Sequence, residues 1–114
     1  MQYSYMGKLI RVVNESTIDA DLNLGFGIRY SIRLPLSGIK IETNSTSKEK
    51  VKDYIEKTLK DKSLAFKIHR DNQGIYNAIV FYKNNKKKEM INLNGELLKN
   101  GMAQSYPLKE KDDR

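Results

Sequence analysis

The chain has 114 residues, no cysteine, one histidine and a net charge of +7 from 21 basic and 14 acidic side chains. This length builds one domain whose core needs no metal or cross-link; the missing cysteines exclude disulfides, thiolate metal sites and cysteine catalysis, and one imidazole excludes a paired-histidine mechanism. The positive balance favours polyanions or acidic protein surfaces as partners, and without a run of roughly 20 apolar residues or an apolar signal core the expectation is a cytoplasmic protein with no membrane partner.

In chain order, Tyr3 to Val13 is rich in β-branched and aromatic residues and reads as a strand, with Gly7 as a bend or bulge. Asn14-Glu15-Ser16 is a polar turn. In the second strand Ile18, Ala20 and Leu22 alternate with Asp19 and Asp21, which predicts a core face and two aspartates in water. Leu24-Gly25-Phe26-Gly27 turns the chain into a third strand from Ile28 to Leu36, with Ile28, Tyr30, Ile32 and Leu34 on one side. A polar stretch ends in a Thr46/Glu49 capping box and opens a helix whose apolar stripe is Val51, Tyr54, Ile55, Thr58 and Leu59. Leu64 to His69 and Ile75 to Tyr82 read as two strands joined at Asp71-Asn72-Gln73-Gly74, followed by a solvated basic loop from Lys83 to Lys88. Asn92 to Asn100 is a short helix stopped by Gly101, and the charged tail 107–114 is expected to be disordered. The expected fold is α+β: a five-stranded OB-type β-barrel over residues 1–106, with one helix between strands 3 and 4 and another at the C-terminus.

Several segments carry a family resemblance. Leu9-Ile10-Arg11-Val12-Val13-Asn14-Glu15-Ser16-Thr17-Ile18 resembles a segment ending V-D-G-D-T-I. Asp21-Leu22-Asn23-Leu24-Gly25-Phe26-Gly27 looks like a D-L-G-F-G turn, and Ile32 to Ile39 resembles I-R-L-R-L-x-G-I. Asn94 to Ala103 is similar to N-x-E-L-V-K-x-G-L-A. In this order and spacing they resemble the staphylococcal-nuclease family, whose active members bind calcium through two aspartates and use a glutamate and two arginines. The resemblance implies that this chain is a degenerate member. Ser16 stands for one calcium aspartate, Pro35 for the first arginine, Lys40 for the second aspartate, Thr43 for the glutamate and Ile75 for the second arginine. An ammonium and a hydroxyl do not replace carboxylates around a hard dication, and losing both guanidiniums removes stabilisation of the reacting phosphate. The expectation is no metal, no cofactor and no hydrolysis.

Other residues were weighed for chemistry. A one-residue slip would bring Glu42 to the position of the missing glutamate, still without metal ligands or arginines. Glu15 lies near the altered positions and Asp19 and Asp21 share a side as a metal pair does, and solvated positions are the plainer reading of these three. His69 reads as an ordinary surface or half-buried histidine. Tyr30 and Tyr54 lie at core spacing, and Tyr106 follows the last helix. Two binding functions follow. One is a module for a protein partner, host or self, because the old catalytic charges are replaced by apolar or neutral residues. The Lys and Asn content is compatible with an AT-rich phage or mobile element. The other is nucleic-acid binding through Arg11, Arg29, Arg33, Lys40, Lys86, Lys87 and Lys88. A nuclease with relocated catalytic groups is a third reading.

Overall fold

The computed structural model describes residues 2–40, 45–84, 86 and 88–105, and the side chains of 3–39, 48–84, 86 and 88–103. Its first three strands are the expected meander: β1 (Gln2–Asn14), β2 (Thr17–Gly25) and β3 (Ile28–Pro35). They are followed by β4 (Ile39–Lys40), α1 (Ser45–Leu59), β5 (Leu64–Arg70) and β6 (Tyr76–Asn84). The chain then forms β7 (Glu89–Asn92), α2 (Leu93–Lys99) and β8 (Gln104–Ser105). Six strands make one antiparallel sheet in the order β3-β2-β1-β5-β6-β7, and β4 pairs with β8. The domain is α+β, but its sheet is open, with β3 and β7 at the edges, and it contains more than the five strands expected. The extra strands were invisible because two-residue β4 and β8 and four-residue β7 are too short to display a period of two.

Two local features overturn parts of the sequence reading. Lys83 and Asn84 extend β6 rather than opening a loop, and β7 folds back on them, pairing Lys83 with Met90 and Asn84 with Glu89. Gly7 is no bend: it sits in regular register opposite both Leu22 and Leu64, and a Cβ there would collide with the backbone carbonyl of Asp21. The irregularity lies three residues later, between Leu9 and Arg11. A residue inserted at Ile10 reverses the in–out phase of β1, so Val12 reaches the core and Ile10 is exposed.

The core forms where the alternation of the sheet meets the stripes of the helices. Ile18, Ala20 and Leu22 of β2, Phe66 of β5 and Val80 of β6 are buried against Val51, Ile55 and Leu59 of α1 and Leu93 and Leu97 of α2. Full burial of one such large side chain stabilises by about 1.5–3 kcal/mol. Ile32 and Tyr54 pack on the margin of this cluster. Ile28 and Tyr30 do not follow them inside; both are about half exposed, because the β2–β3 hairpin runs past the end of the core. Helix α1 begins at Ser45, so Thr46 lies in its first turn and not at the cap. For α2, Asn92 is the cap, accepting the Gly95 N–H at 3.0 Å, and Gly101 takes φ +75° just beyond the C-terminus.

Past β3 the chain crosses to β6. Leu36 makes an isolated parallel bridge to Ala78, its N–H donates to Ser16 O at 2.8 Å, and Ser37 N–H donates to Ala78 O at 2.8 Å. The buried side chain of Asn94 holds this crossing in place. Its amide donates to Ser37 O (2.8 Å) and Ala78 O (3.1 Å), while its Oδ1 accepts the Val80 N–H (3.1 Å). One side chain thereby bonds three backbone groups on the two segments that meet beside α2.

Candidate partner-binding surface

The positions implied as a degenerate catalytic site divide into those the structure describes and those outside it. Ser16 and Pro35 come together, since Thr17 pairs with Pro35 and Ser16 O accepts from Leu36. Ile75 lies three residues before the Ala78 that bridges Leu36, and is about half exposed. Lys40 is placed by its backbone in β4, its side chain lying outside the described residues, as do Thr43, Glu42, Lys87, Tyr106 and the tail 107–114. Glu15 is half-buried, its Oε2 3.9 Å from Lys48 Nζ of α1, rather than a freely solvated turn residue.

Around Ile75 the chain is organised by Asp71. Its Oδ1 accepts the N–H groups of Gln73 (2.8 Å) and Ile75 (2.9 Å), and its Oδ2 accepts from Asn77 Nδ2 (3.3 Å). The Ile75 N–H, more than any other group, holds the Asp71 carboxyl below its ordinary pKa of 3.8. Beside it Ser37 Oγ lies 3.2 Å from His69 Nε2. A serine–histidine contact is the first element of a nucleophilic site. Among the described residues no carboxylate hydrogen-bonds the imidazole in turn, and Ser37 is buried, so the pair ties the crossing to β5 and His69 is half-buried, as expected.

The three arginines expected to face a polyanion are paired with carboxylates. Asp19 is not in water but buried, clamped by two guanidiniums on the outer face of the sheet. Arg33 donates from Nε to Oδ1 (2.8 Å) and from Nη2 to Oδ2 (3.2 Å), and Arg11 Nη2 lies 2.8 Å from Oδ2. The bulge at Ile10 is what turns Arg11 onto this face. The Arg33 hydrogen bond is the main cause holding the Asp19 carboxyl below its ordinary pKa. Arg29 is similarly bound, donating from Nε to Asp21 Oδ2 at 2.8 Å. Of the other expected contacts, Lys86 and Lys88 are exposed in the β6–β7 turn, which Lys88 N–H closes on Asn84 O at 2.7 Å.

The structure also exposes apolar surface. Leu24, Phe26, Ile28 and Tyr30 all stand out at the tip of the β2–β3 hairpin, and Phe26 is fully exposed. Phe26 (φ +55°) and Gly27 (φ +76°) have positive φ at both central positions, the signature of a type I′ turn. Phenylalanine in this left-handed conformation is uncommon and costs about 1 kcal/mol or more. On the outer face of the sheet a second apolar surface lines a groove of about 350 Å³, with Met6, Ala65, Phe81 and Met90 among its walls. Sequence reasoning missed both surfaces, because alternation marks which residues share a face but not where the core stops. The glycine-flanked Phe26 was the one available signal. No protein-family model matches the chain, and no curated protein matches it.

Proposed function

We propose that this chain is a non-catalytic binding module for a protein partner, built on a partly open OB-type barrel of the staphylococcal-nuclease kind. The fold reading is supported by the crossing of the β3 end onto β6 through Leu36 and Ala78, which curls the open sheet towards closure. Absence of hydrolysis is supported by Ser16, Pro35 and Ile75, which offer neither carboxylate nor guanidinium at the positions where the resemblance expects them. The observation that carries the binding reading is the hairpin tip. Four large apolar side chains are held in water there, one on a turn position that disfavours it. Such a surface gains free energy only when something apolar covers it.

The test is affinity capture from lysate with wild-type protein and with Phe26→Asn, each with and without nuclease treatment. Asparagine accepts the turn conformation while removing the ring. Partners that survive nuclease and are lost with the variant support the reading; partners that all vanish on nuclease treatment overturn it. The net charge of +7 and the exposed Lys86 and Lys88 favour a second reading, nucleic-acid binding. It requires an affinity for DNA or RNA that falls steeply with salt. Incubation of both nucleic acids with calcium, magnesium or manganese tests the absence of cutting, and metal-dependent cleavage abolished by altering Glu15 would disprove it.

A further inference from the structure

We propose that the groove on the outer face of the sheet docks an acidic amphipathic segment, its apolar side chains on the floor and its carboxylates on a lysine rim. The inference rests on the reading of the chain as a protein-binding module and names the chemistry of the partner at a surface distinct from the hairpin tip. The floor is a cross-strand row: Met6 pairs with Ala65 and Ala65 with Phe81, with Met90 closing one side. Met6 and Met90 are 49% and 46% exposed. Unbranched, polarizable methionines repack around varied apolar partners, and the volume lies within the ~300–1,000 Å³ of sites that bury a ligand.

The charge pattern selects the occupant. The three strands that supply most of the groove, β1, β5 and β6, contain Lys8, Arg11, Lys67, Arg70 and Lys83 and no acidic residue. Lys67 lines the groove, Lys83 pairs directly opposite Met90, and Lys8 is two residues from Met6 on the same strand face. Lys8 stands opposite Asp21, which Arg29 already holds, but no carboxylate among the described residues forms an ion pair with Lys67 or Lys83, so a segment bearing its own carboxylates meets unpaired positive charge there. A nucleic-acid strand would meet the same charge, but the outward ring of this row is already engaged. Phe81 is the aromatic ring facing outward on this row, and Lys67 Nζ sits 5.5 Å over its centroid, covering one face.

The chain carries four methionines, and methyl-labelled methionine in the full-length protein makes the groove directly visible by NMR. Met102, packed against the core, serves as internal reference and reports an intact fold in every variant. The probes are a synthetic helical peptide with leucines at i, i+3, i+4 and i+7 flanked by glutamates, its counterpart with lysine for each glutamate, and a single-stranded oligonucleotide. The glutamate peptide is expected to shift the Met6 and Met90 methyl signals and leave Met102 unmoved. Lys67→Glu combined with Lys83→Glu should weaken it about 10-fold or more, and Met90→Lys should remove the shift. Unmoved Met6 and Met90 signals, or equal shifts with the lysine peptide, overturn the proposal. So does an oligonucleotide that shifts the same signals and displaces the glutamate peptide. If wild type and Met90→Lys capture the same nuclease-resistant partner equally, the groove is refuted while the protein-binding reading stands. If no nuclease-resistant partner exists, both fall.

Discussion

The outer face of the sheet has two halves that carry similar cations to opposite effect. On β2 and β3, and the bulged part of β1, each arginine meets a carboxylate across the strands: Arg11 and Arg33 share Asp19, and Arg29 binds Asp21. On the half built from the start of β1 with β5 and β6, no strand residue is acidic, and Lys8, Lys67 and Lys83 surround an apolar floor. Counting charges makes the halves look alike. Pairing separates them, because a cation already neutralised at 2.8 Å offers little to an incoming anion. The first half sets three guanidiniums against two carboxylates and keeps a single positive charge in excess, whereas Lys67 and Lys83 of the second form no ion pair among the described residues.

The largest expected effect is at Asn94, where the two halves are joined on the far side of the sheet. Asn94→Ala strands Val80 N–H and the Ser37 carbonyl in a buried setting, while Ala78 O keeps the Ser37 N–H; each group left unsatisfied costs about 1–3 kcal/mol. Chemical denaturation should show a loss of about 2 kcal/mol or more, and hydrogen exchange should locate the opening at the Leu36–Ala78 crossing. An unchanged denaturation midpoint would mean that the halves are held together by something else.

Next comes conversion of the neutralised half into an unpaired one. Asp19→Asn leaves Arg11 and Arg33 without their shared carboxylate, so a lower thermal midpoint at pH 7 and later elution from a heparin column are expected. The pH dependence carries a sign. The folded pKa of Asp19 is depressed, so its contribution is complete above the unfolded value near pH 4 and is lost as pH falls through the folded value. Melting curves of wild type and variant should therefore converge below that point, and a gap constant down to the most acidic pH would refute the clamp. Asp71, depressed chiefly by the Ile75 N–H, loses its contribution in the same direction.

The smallest effect is expected outside both halves. Phe26→Asn should raise stability by up to about 1 kcal/mol, since asparagine followed by Gly27 suits a type I′ turn better than phenylalanine does. A gain in stability coupled to a loss of partner capture would mark Phe26 as a residue kept for binding. A loss of stability would show that the ring supports the hairpin.

Much of the scaffold was legible. The β2 alternation, the Val51, Ile55 and Leu59 stripe and the Gly101 stop all stand where their patterns put them, because each depends on neighbours a few residues away. The site was less legible for a matching reason. Burial of Asp19 depends on Arg11, which reaches it through a one-residue bulge, and on Arg33 from a strand fourteen residues on. Tyr30 keeps the core spacing of Leu34, yet it is exposed because the hairpin outruns the helices. Asn94 stood inside a quoted motif without a role, since its three partners come from segments that meet only in the folded chain.

By itself, then, the sequence determined the elements that short-range periodicity, caps and turns encode, together with the net positive charge and the residues present at the altered positions. Tertiary structure alone decided which of those charges are neutralised, where the core ends, and which apolar side chains remain in water. The physical reason is range. Backbone preferences and alternation act over a turn of helix or a pair of strand residues, whereas ion pairing and burial depend on the distances that folding sets between segments far apart in the chain.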